Sequence, residues 1–279
     1  MPAAAEPGPP RPARVAVFDS GVGGLTVVAA LRRRLPWVDV RFLGDTARLP
    51  YGTKSAETVV KYALQASARL LDEPADALVV ACNTASACAL PALRARHGLP
   101  VLGVVEPGAR AALAASHSGH IGVIGTERTV ASGAYPLAIG VLAPHARVHA
   151  LATPLLVSLA EEGWFDHPAT EAAVRAYFGP WLAQPDVARI DALVLGCTHY
   201  PVFKPLIARV VQDLLGRAVA LVDSADAVSV DLAALLPVPA APDRPGTTHL
   251  SATDSLDRFL RVGGLFFDVA AAESAVVDL

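Results

Sequence analysis

The chain has 279 residues, 53% hydrophobic and 18% charged, with 23 Lys+Arg against 26 Asp+Glu and a formal charge of -3. That is about two domains, or one large one, with too much apolar content for a disordered polypeptide. No basic cluster exceeds Arg32-Arg33-Arg34, so no electrostatic footprint for nucleic acid is present, and three cysteines at 82, 88 and 197 are too few for a secreted disulfide framework.

In chain order, residues 1–12 hold five prolines and no apolar h-region. They read as a disordered N-terminal tail rather than an export signal, which makes the cytoplasm the expected compartment. Short apolar runs follow at Val15–Phe18, Val40–Leu43, Ala77–Ala81, Val101–Val105, Ile121–Ile124, Val148–Leu151, Ala192–Leu195 and Val219–Val222, each the length of a buried strand. Between most of them lie stretches of helical length such as Leu25–Leu35, Ser55–Leu71 and Thr170–Leu182. This alternation predicts an α/β fold with parallel sheets. The longest uncharged stretches, Ala77–Leu93 and Thr129–Ala146, are interrupted by proline and hydroxyl residues, so no membrane span is expected.

The segments Asp76-Ala-Leu-Val-Val-Ala-Cys82 and Asp191-Ala-Leu-Val-Leu-Gly-Cys197 match at five of seven positions, 115 residues apart (191 minus 76). Both run from a strand into a cysteine, small polar residues and an expected helix start. Ligands of parallel sheets bind beyond the carboxyl ends of the strands, where helix N-termini offer free N–H groups. Two similar strands would explain the apolar match alone, but not the shared ending.

The turn Asp19-Ser20-Gly21-Val22-Gly23-Gly24-Leu25 invites a dinucleotide reading, but the fingerprint needs glycine at 26, where Thr26 stands. What survives is a tight turn whose glycines let the backbone approach a small anion. A zinc held by Cys82, Cys197 and His199 lacks the usual structural spacings, and neither Cys-x-x-Cys nor His-x-x-x-His occurs. The thiol reading uses more of the residues. A cysteine at a helix N-terminus is expected to have its pKa lowered from about 8.5 toward neutrality. If the two half-sites face each other, one thiolate can remove a proton from carbon while the opposite thiol delivers one to the other face. Asp19 and His199 would orient or help deprotonate the thiols, and Glu161 would hold His199. Cys88 falls within the expected helix and is assigned to the core.

These residues carry a family resemblance over nearly the whole chain. Val17-Phe-Asp-Ser-Gly-Val-Gly-Gly-Leu25, Asp45-Thr-Ala-Arg-Leu-Pro-Tyr-Gly52, Val80-Ala-Cys-Asn-Thr-Ala-Ser86, Ile124-Gly-Thr126, Leu195-Gly-Cys-Thr-His-Tyr-Pro201 and Leu221-Val-Asp-Ser224 resemble the bacterial glutamate racemases of the aspartate/glutamate racemase family. The resemblance implies cofactor-independent racemisation of L-glutamate to D-glutamate for peptidoglycan, by Cys82 and Cys197 assisted by Asp19, His199 and Glu161. It implies substrate binding by Asp19, Ser20, Tyr51, Gly52, Asn83, Thr84, Thr198 and His199, with no metal and no organic cofactor. It also implies a homodimer and a doubly wound parallel sheet in each of two similar lobes, with the active site in the cleft between them. The expected lobes are residues 13–107 with 225–279, and residues 108–224. Two features depart from the pattern: the proline-rich leader is extra, and Thr153 stands where many members carry cysteine. The alternatives are a thiol-dependent racemase or decarboxylase of another small carboxylate such as aspartate, and a non-catalytic small-carboxylate binding protein.

Overall fold

The computed structural model describes residues 12–237 and 244–279; the expected N-terminal tail lies outside them but for Pro12. The first run of elements is β1 (Arg14–Asp19), α1 (Leu25–Arg34), β2 (Asp39–Gly44), α2 (Ala56–Leu70), β3 (Ala77–Val80), α3 (Asn83–Arg96), β4 (Val101–Gly103) and α4 (Val105–Ala115). A second run follows: β5 (His120–Gly125), α5 (Glu127–Ala131), α6 (Ala134–Leu142), β6 (Arg147–Ala152), α7 (Leu155–Glu161), α8 (Pro168–Leu182), β7 (Ala192–Gly196), α9 (Lys204–Leu215) and β8 (Ala220–Asp223). The chain then runs through α10 (Ser224–Leu235), β9 (Thr248–Ala252), α11 (Leu256–Gly263) and β10 (Glu273–Val276).

The strands form two sheets, ordered β10-β9-β2-β1-β3-β4 and β6-β5-β7-β8, and their pairings are parallel. The inner order β2-β1-β3-β4 is repeated as β6-β5-β7-β8, so the matched strands β3 and β7 hold the same place in their sheets. Successive side chains of a strand point to opposite faces, and both faces of the inner strands are covered. Val15 and Val17 pack with α1, α10 and α11, while Ala16 and Phe18 pack with α2 and α3. In the second sheet Leu193 and Leu195 meet α7, α8 and α9, whereas Ala192 and Val194 meet α4 and α6. Burying each large apolar side chain contributes about 1.5–3 kcal/mol, which is why these strands read as continuous apolar runs.

Two details differ from the sequence expectation. The run Val101–Val105 ends as a strand at Gly103, and Val105 opens α4. Pro107 sits in the first turn of that helix, where a missing N–H removes no helical hydrogen bond. Strands β9 and β10 lie outside the expected runs; in Thr248-His-Leu-Ser-Ala only Leu250 and Ala252 are buried, and all of β10 is exposed. The uncharged stretch Thr129–Ala146 is divided at Gly133, whose φ of 65° lies in the left-handed region. Among the described residues no helix is long and apolar enough to cross a membrane.

Candidate active site

Each sheet reverses strand order between two neighbouring inner strands, β1 and β3 in one, β5 and β7 in the other. Helices that leave such neighbours toward opposite faces open a crevice at the strand carboxyl ends. Asp19 ends β1 and Cys82 stands two residues beyond β3; Thr126 and Cys197 directly follow β5 and β7. The two crevices merge into one cavity of about 380 Å³, within the range of small-molecule sites. A wider groove of about 530 Å³ runs along β9 and β10. Its Arg41 is already paired with Glu73 and its Arg69 with Asp72, and no thiol lines it, so we assign the chemistry to the smaller cavity.

Of the residues singled out in the sequence, Ser20, Tyr51, Gly52, Cys82, Asn83, Thr84, Glu161, Cys197, Thr198 and His199 line this cavity. Asp19 does not line it. It lies behind the wall, 1% exposed, with Oδ2 accepting from the Gly21 N–H at 3.0 Å and Oδ1 without a hydrogen-bond partner. Burial raises its pKa, although His199 and the N–H groups of Gly24, Gly21 and Ser20 pull the other way. Gly23 and Gly24 also differ from expectation. The space a Cβ would take at Gly24 is filled by Asp19, and at Gly23 by Thr198 and His199. These glycines therefore admit neighbouring side chains of the site.

Cys82 is the N-cap of α3, and its sulfur accepts from the Ala85 N–H at 3.4 Å. Its thiol donates to the Ser20 hydroxyl, also at 3.4 Å. The expected fall in pKa does not occur here: burial, seconded by the negative charge of Asp19, pushes the Cys82 thiol up to about 12. A helix terminus stabilises an anion by about 0.3–1 kcal/mol, whereas full burial shifts a pKa by up to 3–5 units, so desolvation wins. Cys197 is not at the start of a long helix. A short 3-10 turn, Tyr200–Phe203, intervenes before α9, and the neighbour of the Cys197 sulfur is His199 Nδ1 at 3.8 Å.

The other ring nitrogen of His199, Nε2, lies 3.2 Å from Glu161 Oε1. Burial lowers the His199 pKa, but hydrogen bonds and charge from Cys197 and Glu161 outweigh it and raise the value to about 10. The imidazolium is thus the favoured form, with both N–H groups donating. Burial likewise disfavours the Glu161 carboxylate, yet His199 and Arg258 overcome it and hold its pKa below the ordinary value.

The remaining walls are fixed by hydrogen bonds within and between the two sheets. Tyr51 donates to Asp45, and burial and that carboxylate keep the phenol protonated. Gly52 leaves room for Thr126, whose Cβ would be 2.8 Å from a Cβ at position 52. Asn83 accepts from the Tyr135 hydroxyl at 2.7 Å, and Thr84 shares hydroxyl contacts with Thr126 at 3.0 Å and Thr129 at 3.2 Å. The backbone carbonyl of Thr198 accepts from the Thr26 hydroxyl at 3.0 Å. Thr153, the departure noted in the sequence, is buried and donates to Tyr200 Oη at 3.0 Å.

Several cavity residues lie outside the sequence-derived site set, among them Glu127, Pro154, Ser158, Thr126 and Arg258. Thr126 is the counterpart of Ser20: strand registers align Val15 with Ala77 and Ile121 with Ala192, so Asp19-Ser20 corresponds to Gly125-Thr126. That repeat was a usable signal. Arg258, on α11, lines the cavity and lies 3.4 Å from Glu161 Oε2; no motif marks it. Among the described residues no group of three or more His, Cys, Asp or Glu side chains is arranged to hold a metal ion.

Two parallel sheets of like strand order, each sending a thiol into a shared cavity, define an α/β protein with a two-sheet cleft. The chain belongs to the Asp/Glu/Hydantoin racemase family, whose model matches residues 26–231, and is thus an isomerase of the racemase class. It is 46% identical to the glutamate racemase of Geobacter metallireducens over 255 residues, 90% of this chain and 92% of that protein. The crystal structure of a glutamate racemase isoform from Bacillus anthracis superposes with a TM-score of 0.88 at 34% identity, covering 97% of this chain and 99% of that one. The glutamate racemase of Francisella tularensis in complex with D-glutamate gives a TM-score of 0.84 at 33% identity, covering 96% and 98%.

Proposed function

We propose that the chain interconverts L- and D-glutamate by a two-base mechanism in which Cys82 and Cys197 act on opposite faces of the α-carbon. The observation that carries this reading is the single cavity lined by both thiols, each beyond the matched third strand of a like-ordered sheet. In one direction a thiolate takes the α-hydrogen as a proton, and the electron pair of the broken C–H bond moves onto the α-carboxylate. The opposite thiol gives its proton to the other face and becomes the thiolate. Hydroxyls of Ser20, Thr84 and Thr198, with nearby N–H groups, stabilise the charge gathering on those oxygens. The chemistry requires neither metal nor organic cofactor.

The two half-sites differ in charge. Cys82 rests as a thiol with a pKa near 12, ready to donate. To act as a base it needs a cation beside it, which the α-ammonium group of the bound substrate supplies. Cys197 has a permanent partner in the His199–Glu161 pair, while Asp19 acts from behind the turn. Residues 13–107 with 225–279 form one lobe and residues 108–224 the other. By the same reading D-glutamate goes to peptidoglycan, and the protein works in the cytoplasm as a homodimer; these points rest on the family resemblance.

The test is incubation with L-glutamate in deuterated buffer containing chelator and no added cofactor, following optical rotation and α-deuterium. Loss of rotation with deuterium entering mainly the D-isomer is expected. Neither exchange nor inversion with folded protein overturns the reading, and aspartate and hydantoins then become the substrates to try.

A further inference from the structure

Glu161 offers its two carboxylate oxygens to two different partners. Oε1 lies 3.2 Å from His199 Nε2, and Oε2 lies 3.4 Å from the guanidinium of Arg258. Glu161 ends α7 and His199 follows β7, both built on the second sheet. Arg258 belongs to α11, which packs on the first sheet through Phe259 and Val262. The contact therefore bridges the cavity from the framework of one sheet to that of the other. Just beyond α11, the rings of Phe266 and His199 meet edge to face, with centroids 5.5 Å apart and planes at 84°. This C-terminal segment thus closes the side of the cavity that holds the His199–Glu161 pair.

A glutamate carboxylate held at one oxygen still turns about its last torsion, which has broad wells. A guanidinium on the second oxygen removes that freedom and keeps the carboxylate ionised. We propose that Arg258 is a positioning residue for Cys197: by holding Glu161 Oε2 it keeps Oε1 on His199 Nε2, and so fixes the ring whose Nδ1 faces the Cys197 sulfur. The inference rests on the two-thiol reading above. Arg258 acts through Glu161 and touches neither thiol. Its side chain is 62% exposed, so solvent screens the pair and the effect is modest.

The test uses the full chain carrying Arg258→Met or Arg258→Lys, each alone and combined with Glu161→Gln. Arg258→Met is expected to lower kcat by about threefold to tenfold with little change in KM, and to cost less than about twofold once Glu161 is already Gln. Arg258→Lys restores most of the loss, because the contact is a single one. A second readout is independent of substrate: in protein with 15N-labelled histidine side chains, the ring nitrogen signals of His199 shift in Arg258→Met as they do in Glu161→Gln, and return in Arg258→Lys. Fully additive losses in the double variant, a raised KM with unchanged kcat, or unmoved His199 signals would each overturn the role. If the unmodified protein does not turn over glutamate, the glutamate reading fails, while the histidine signals still decide whether Arg258 positions the ring.

Discussion

Gly23 has no side chain because His199 of the facing loop occupies its space: a Cβ at position 23 would stand 2.5 Å from His199 Nδ1 and would also strike the Thr198 hydroxyl. The requirement is for room, since Gly23 shows no left-handed backbone. Gly23→Ala must displace the imidazole or the glycine turn. Misplacement of a reacting group by about 1 Å costs on the order of a hundredfold in rate, so kcat is expected to fall by that order while circular dichroism still reports a folded α/β protein. Unchanged turnover would separate this contact from the chemistry.

Serine at either thiol position keeps the shape of the site and removes its basicity. Cys82→Ser retains an N-cap side chain for α3, and serine is a strong N-cap, so melting temperatures are expected within a few degrees of the parent. Racemisation is expected to fall by about 10²–10⁴-fold in each single variant, the usual size of a general acid/base contribution. Polarimetry on both enantiomers checks this, and substantial turnover in one variant would take that thiol out of the mechanism.

Burial sets the reactivity of Cys82 in the free protein. With its pKa at about 12, the thiolate is scarce at neutral pH and grows through the alkaline range. Alkylation of Cys82 by iodoacetamide, read by peptide mass spectrometry, is expected to accelerate continuously up to pH 10 and beyond, whereas an ordinary thiol levels off above a pKa of about 8.5. A plateau below pH 9 would mean that the helix terminus prevails over desolvation.

His199 links the site to stability. A group whose folded pKa is raised adds stability that is fully present below its unfolded value, about 6.5, and is lost as pH rises through the folded value, here about 10. Glu161, with a lowered pKa, adds stability above its unfolded value that is lost as pH falls through the folded one. The melting-temperature advantage of the parent over His199→Gln is therefore expected to be greatest near pH 6 and to shrink steadily as pH rises from about 7 to 10. An advantage that grew over that interval would contradict the protonated ring.

The amino-acid order alone determined the parallel α/β plan, because strands buried on both faces must be continuously apolar and helices must separate them. It also marked both thiols, since the matched endings at Cys82 and Cys197 lie beyond strands that hold equal places in their sheets. Strands β9 and β10 carry no apolar run in the sequence: Thr248, His249 and Ser251 are polar, and all of β10 is exposed. Tertiary structure decided the rest. Arg258 reaches the cavity only because the chain returns to the first sheet after β8, a long-range event with no local motif. The Cys82 thiol is raised, where its place at a helix start suggested the opposite, because burial and the nearby Asp19 depend on chain segments far apart in sequence. Local pattern reports which face of an element is apolar; the charge state of a buried group depends on everything folded around it.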